Sequence, residues 1–290
     1  MVDTAPTPFE IEHTSPAVLT VKVPLARTSE AWFLLRSDAH HDNPHCRWDL
    51  EKRHLDEVVA RRAGIIDVGD LFCAMQGKYD KRSDKSTCRP EHQCTDYLDA
   101  LVRTAADFYE PYAHNWLIMG QGNHETAVQN RHETNLTERL VSTLNDRTGS
   151  HVKLGGYTGW VRFQLTQSTK RASRKLWWIH GYGGGGPVTM DTIQAQRQRG
   201  YIENADVMVS GHTHDAWALD TIKLRLNNAG AVERRVLWQI KTPTYKDEYA
   251  DGAAGWHVQT GKPPKPLGAF WIRLTWPSID GPEIEVHRAQ

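Results

Sequence analysis

Residues 32–40 read WFLLRSDAH. The apolar run 32–36 gives way to Ser37 and Asp38, the pattern of a buried strand that delivers polar side chains at its carboxyl end. The same grammar recurs four times. Residues 64–68 (GIIDV) lead into Gly69-Asp70, and 116–119 (WLIM) into a loop at Gly122-Asn123-His124-Glu125. Residues 176–179 (LWWI) lead into His180-Gly181, and 207–209 (VMV) into Gly211-His212-Thr213-His214. In open α/β sheets, ligands gather beyond the carboxyl ends of strands, so five tips far apart in sequence can converge on one site.

Helical patterns lie between these strands. Residues 50–62 place Leu55, Val58 and Val59 on one face, and 97–108 place Leu98, Leu101, Val102 and Ala105 likewise. Residues 135–144 and 189–199 are further helices by the same reading. After His214 the pattern changes to short strands at 216–222, 236–240, 270–276 and 284–287. Strands alternating with helices, then a run of strands, predict a mixed α/β domain with two sheets packed between helices. We expect one domain over residues 1–290, with its core at about 31–215 and the C-terminal strands and a wall-forming loop at 216–290.

Composition narrows the function classes. Thirty-five basic residues balance 35 acidic ones, so no global field draws the chain to nucleic acid or anionic membrane, and any attraction to phosphate must be local. No apolar run approaches the roughly 20 residues of a membrane span. The start, MVDTAPTPFEIEHTSP, lacks a basic region followed by an apolar stretch, so a soluble protein at a cytoplasmic address is expected. Cys46, Cys73, Cys88 and Cys94 are too few and too irregularly spaced for a disulfide framework, and reduced thiols are expected. Cys88, His92 and Cys94 are close enough to suggest a small structural zinc site but lack a clear fourth ligand.

The strand tips carry the chemistry. Hydrolysing a phosphate ester at neutral pH needs a hydroxide and charge neutralisation on the phosphoryl oxygens, and two metal ions about 3.5 to 4 Å apart supply both. Such a pair needs a bridging carboxylate with imidazole, carboxylate and amide ligands around it. Asp38 and His40, two apart at a strand end, project to the same side and can grip one ion. Asp70, after Gly69, is the natural bridge. Asn123 offers an amide oxygen to the second ion, His180 and His212 complete it, and His214 returns to the first. A single Asp-x-His or Gly-Asp pair occurs by chance in many loops; five such motifs in one order, each after an apolar strand, do not.

This ordered set, SDAH, GDLF, GNHE, HG and GHTH, resembles the calcineurin-like metallophosphoesterase superfamily over roughly residues 31–215. The resemblance implies a four-layer α/β/β/α fold with two mixed sheets and a site for two divalent ions, Mn being the first choice and Fe, Zn, Ni or Mg the others. It implies that Asp38, His40, Asp70 and His214 hold the first ion, and Asp70, Asn123, His180 and His212 the second. It also implies that His124 contacts the phosphoryl group and protonates, or stabilises charge on, the leaving oxygen. Glu125 either orients His124 or caps the following helix. His41 and Asp42 either hydrogen-bond the ligands or form an exposed turn before Pro44.

Departures from the family pattern bear on the substrate. The protein-phosphatase branch has an acidic residue and an arginine where this chain has Cys73 and Ala74, which argues against a protein phosphatase. GDLF is similar to the Mre11/SbcD nuclease branch, though that branch places a histidine at Cys73. Two segments read as loops: 77–90, basic enough to meet a phosphate backbone, and 242–267, whose Tyr245, Tyr249, Trp256 and His257 suit either a substrate wall or the core. Gly183 to Gly186 reads as a backbone passing close to metal or substrate, or as a tight turn before Pro187. The expected activity is hydrolysis of a phosphate ester by a metal-bridging hydroxide. A phosphodiester, as in DNA or a nucleotide, is favoured over a small phosphomonoester, and no obligate protein partner or membrane contact is expected. The competing class is a non-catalytic scaffold of the same fold, which should have lost ligands, whereas all seven are present.

Overall fold

Strands buried on both faces read as continuous apolar runs, and this chain uses three of them as the centre of a sheet. The computed structural model describes residues 7–77, 80, 83, 88–250, 255–278 and 281–289. In chain order the elements are β1 (Glu10–Ser15), β2 (Val18–Pro24), β3 (Glu30–Arg36), α1 (Trp48–Ala60), β4 (Gly64–Asp67), α2 (Tyr97–Tyr109) and β5 (Trp116–Met119). There follow α3 (Asn123–His132), α4 (Leu136–Thr148), β6 (Lys153–Leu154), β7 (Thr158–Gln167), β8 (Lys170–Ile179), α5 (Thr192–Arg199) and β9 (Val207–Ser210). The last are β10 (Trp217–Leu226), β11 (Val232–Lys241), α6 (Trp256–Gln259), β12 (Ala269–Ser278) and β13 (Gly281–Ala289).

Among the described residues the strands form two mixed sheets. One has the order β13-β12-β3-β4-β5-β6, with β3 to β6 parallel; the other runs β1-β2-β7-β8-β9-β11-β10, with β8, β9 and β11 parallel. The period of two along β3 divides the core. Phe33 and Leu35 face the other sheet, packing with Val21, Phe163, Trp178 and Val209, while Leu34 turns to the helices, beside Leu55, Leu101 and Leu140. On the far face of the second sheet, Trp177, Met208 and Leu237 form a smaller cluster, and Gln239 Nε2 donates to the Ala195 carbonyl of α5 (2.8 Å). The layers are therefore α/β/β/α. Among the described residues no helix is long and apolar enough to cross a membrane.

Local chemistry sets the element ends. Asn135 caps α4 by accepting the Glu138 N–H (3.1 Å), and Gly149 ends it in the left-handed region (φ 69°). Gly64 begins β4 where a Cβ would meet Leu117 Cδ1 at 2.6 Å. The sequence reading missed β1, β2, β6 and β7 and the first half of β8. In β7, buried Gly159, Val161, Phe163 and Leu165 alternate with more exposed neighbours, the signature of a half-buried strand rather than of an apolar run. The reading also took residues 122–125 for a loop, whereas Asn123 opens α3.

Cys46, Cys73, Cys88 and Cys94 form no disulfide. The suggested zinc site does not gather: His92 Nε2 shares a hydrogen bond with Thr104 Oγ1 (2.8 Å), and Cys88, His92 and Cys94 are in none of the metal-competent groups among the described residues. Most of the basic loop at 77–90 lies outside the described residues. Its described end packs down, with the Arg89 guanidinium 3.8 Å over the Trp48 ring and bonded to the Asn43 carbonyl (3.1 Å). The segment at 242–267 divides: Tyr245 is core, its hydroxyl on His54 Nδ1 (2.9 Å), while Tyr249 and Trp256 are exposed.

Candidate metal centre

Asp38 and His40 follow β3, Asp70 follows β4, Asn123 and His124 open α3 after β5, His180 follows β8, and His212 and His214 follow β9. All eight thus sit at carboxyl ends of strands from both sheets, and backbone hydrogen bonds lash the tips together. Asp38 N–H donates to the Gly69 carbonyl (2.9 Å), His40 N–H to the Asp70 carbonyl (3.1 Å) and Gly211 N–H to the His180 carbonyl (2.8 Å). Two groups of side chains result, Asp38/His40/His214 and Asp70/His180/His212, in each of which the candidate ligand atoms lie within 4.8 Å of one another.

Each carboxylate has one oxygen pinned and one aimed at imidazoles. Asp38 Oδ2 accepts from the His212 N–H (2.9 Å) and the Ser37 hydroxyl, while Oδ1 is buried without a hydrogen bond, 3.3 Å from His214 Nε2 and 4.0 Å from His40 Nε2. Asp70 Oδ1 accepts the His124 N–H (2.9 Å), and its Oδ2 faces His180 Nε2 at 3.1 Å and His124 Nε2 at 3.8 Å. Asn123 Oδ1 joins the second group, 2.7 Å from His212 Nδ1 and 3.2 Å from His180 Nε2.

Backbone carbonyls select which nitrogen of each imidazole looks inward. Val68 O binds His180 Nδ1 (3.1 Å), Gly183 O binds His212 Nε2 (2.8 Å) and Cys73 O binds His124 Nδ1 (2.6 Å). A ring N–H donated outward leaves the other nitrogen as a lone-pair donor, the usual arrangement around ligating histidines. The glycine run is therefore a backbone passing against the site, since Gly183 holds His212. The tips are also strained: Asp38, His40, Asp70, His212 and His214 all have left-handed backbones (φ 46–74°), which costs about 1 to 3 kcal/mol for each such residue.

The electrostatics suit a cation. Burial pushes the Asp38 carboxyl up, but the neighbouring His214 imidazole holds it below the usual range; burial opposes His180 and His124 at Asp70 in the same way, and Asp70 lies well below. Burial pushes His40, His212 and His214 down, leaving neutral imidazoles of the kind metals bind. Burial also opposes protonation of His180, but Asp70 outweighs it and raises the imidazole to about 9, so a divalent ion there replaces a proton. An orphaned carboxylate oxygen with the Nε2 atoms of His214 and His40 beside it fits a metal ion better than it fits a metal-free polar cluster.

The surroundings answer the open alternatives. Glu125 does not touch His124; it caps α3 through the Gly122 N–H (2.8 Å) and clamps the Asp70 loop through the N–H groups of Asp70 (3.1 Å) and Phe72 (2.8 Å). Burial, and then the charge of Asp70, raise its carboxyl to about 8. His41 and Asp42 are buried, not exposed: His41 Nδ1 meets Glu51 Oε2 (3.1 Å), and Asp42 accepts the Ala74 N–H (2.9 Å) as well as that of Cys73. Sequence reasoning missed Lys246, whose side chain is nearly buried against Glu248 (3.0 Å), in a segment bonded to Asp38 through Tyr245 N–H (3.2 Å). No motif marks that lysine, because contacts between loops bring its segment against the Asp38 tip.

No model of a known protein family matches the sequence, and no curated protein matches it. Solved structures similar to it include GAP50, the anchor in the inner membrane complex of Plasmodium, at 12% identity and a TM-score of 0.44, over 90% of this chain and 85% of that one. A predicted phosphoesterase from Streptococcus pneumoniae is similar at 9% identity and a TM-score of 0.31, over 90% and 99% of the two chains. Vps29 from Entamoeba histolytica, complexed with zinc, is similar at 12% identity and a TM-score of 0.33, over 89% and 99%.

Proposed function

We propose that this chain is a metal-dependent phosphoesterase with a dinuclear centre, Asp38, His40, Asp70 and His214 holding one divalent ion and Asp70, Asn123, His180 and His212 the other. The observation that carries the reading is the convergence of inward-facing imidazole nitrogens on two carboxylates, each with one oxygen pinned and one open. When bound, two such ions acidify a water between them and neutralise phosphoryl oxygens.

The chain's own groups do the rest. Asp70, pinned by the His124 N–H, would be the carboxylate that both ions share. His124, its Nδ1 held by the Cys73 carbonyl, keeps Nε2 at the rim, where as the imidazolium it gives its Nε2 proton to the departing alkoxide oxygen. The Cys73 carbonyl thus orients His124, the task for which the phosphatase branch has an acidic residue. The substrate favoured is a phosphodiester in the cytoplasm, on the strength of the GDLF motif, and manganese is the first metal to try.

Metal analysis of protein purified without chelator, with hydrolysis of bis-p-nitrophenyl phosphate in Mn²⁺, tests the reading. About two ions per chain and turnover support it; neither metal nor turnover overturns it. A nucleic-acid substrate would in addition lose affinity steeply as salt rises, and a small ester would not.

A further inference from the structure

We infer that Lys246 is a substrate-binding cation, whose ammonium takes an anionic phosphoryl oxygen on the His124 side of the centre. The inference rests on the phosphoesterase reading above and adds to it a residue that none of the five strand tips supplies.

Geometry places the lysine there. Its segment lies along the first strand tip, with Thr244 Oγ1 and Tyr245 N–H both on the Asp38 carbonyl (2.6 and 3.2 Å) and Lys246 itself bridged to Cys46. The side chain is 10% exposed, and the Glu248 carboxylate that it meets also holds His257, whose ring lies 5.6 Å from that of His214. The His40 ring lies 5.1 Å from that of His214 and 4.9 Å from that of His124, so this is the side on which His124 acts.

A lysine in this place is not needed to hold the segment. Backbone bonds from Arg47 to Tyr245 (2.9 Å) and from Asp247 to His45 (2.8 Å) already do so. Nor is its partner tied to it alone: Glu248 Oε1 lies 3.0 Å from Lys246 Nζ, while Oε2 lies 2.8 Å from His257 Nδ1. Lys246 can turn to a phosphate without stranding a buried carboxylate, because His257 stays with Glu248. A buried ammonium beside two divalent ions is repelled until an anion arrives, which favours this exchange.

The test uses the Mn²⁺ form and inorganic phosphate as a competitive inhibitor of bis-p-nitrophenyl phosphate hydrolysis. Lys246→Met should raise the phosphate inhibition constant and KM about tenfold, with metal content unchanged and kcat less affected. Lys246→Arg should stay within about threefold of wild type, and Glu248→Gln, which frees the ammonium, should bind phosphate as well or better. Phosphate inhibition within about twofold of wild type in Lys246→Met, or equal weakening in Glu248→Gln, overturns the inference. If Lys246→Met does not fold, the Arg and Glu248→Gln variants decide. A wild type with neither manganese nor turnover defeats the phosphoesterase reading itself, and this inference falls with it.

Discussion

A Cβ on Gly122 would lie 2.1 Å from Asp70 Oδ1 and 2.6 Å from the Asp70 backbone nitrogen. The glycine before Asn123 is therefore there for space, since its own backbone is extended (φ −111°) and open to any residue. Gly122→Ala must push Asp70 off the His124 N–H and disturb the carboxylate proposed to serve both ions. Mn²⁺ affinity should fall by at least about tenfold, with far-UV circular dichroism unchanged, because second-layer positioning of metal ligands is typically worth about 10- to 100-fold. Wild-type Mn²⁺ affinity in Gly122→Ala, measured by calorimetry, would refute this role.

Glu125 satisfies three buried N–H groups at once, on Asp70, Phe72 and Gly122. Glu125→Ala leaves all three without an acceptor, and each unsatisfied buried donor costs about 1 to 3 kcal/mol. Urea unfolding should show a loss of at least about 3 kcal/mol. Glu125→Gln, which keeps one carbonyl oxygen, should lose less.

The sequence disclosed the site better than the sheets around it. Asp38, Asp70, His180 and His212 were legible because each follows a fully buried apolar run, and such runs mark central parallel strands. β1, β2 and β7 were not, because an alternating strand such as Trp160-Val161-Arg162-Phe163 carries its apolar half only every second residue. The capping role of Glu125 was readable from its spacing three residues after Gly122; its grip on the Asp70 loop was not, because that contact joins positions 55 residues apart. Lys246 was hidden for the same reason, as were the carbonyls of Val68, Cys73 and Gly183 that set the imidazole tautomers.

His124 should matter in proportion to the leaving group. His124→Ala should lower kcat by about 10² to 10⁴ for an ester of an ordinary alcohol, whose alkoxide needs a proton. With p-nitrophenolate, which leaves without one, the loss should be much smaller. Equal losses on both esters would give His124 a role in binding rather than proton donation.

A buried ion network behind the site should set part of the acid stability. Arg36 bonds Glu51 through Nη2 (2.7 Å) and Asp67 through Nε (2.9 Å), all fully buried. Burial pushes the Glu51 carboxyl up, but Arg36 and His41 outweigh it and bring it down to about 2, from an ordinary value of 4.5. A carboxyl depressed in the folded state contributes stability that is complete above its unfolded value and lost as pH falls through the folded one. Glu51 should therefore stabilise the fold above pH 4.5 and cease to do so towards pH 2. Glu51→Gln should be less stable at neutral pH, by about 3 to 5 kcal/mol as for other broken buried pairs. Its unfolding free energy in chelator should also fall less steeply than that of wild type between those two pH values.

Metal should stabilise the fold as well as activate it. Without an ion, Asp38 Oδ1 is a buried polar atom with no partner, and five ligand residues hold strained left-handed backbones. An ion that binds only the folded chain adds stability that grows with its concentration, about 2.7 kcal/mol at 100 times its dissociation constant. Adding Mn²⁺ to chelator-treated protein should raise the melting temperature in a concentration-dependent way. His180→Ala should weaken that response while leaving the rest of the melting curve in place. A melting temperature indifferent to Mn²⁺, Zn²⁺, Fe²⁺, Ni²⁺ and Mg²⁺ alike would mean that these seven converging side chains serve no metal.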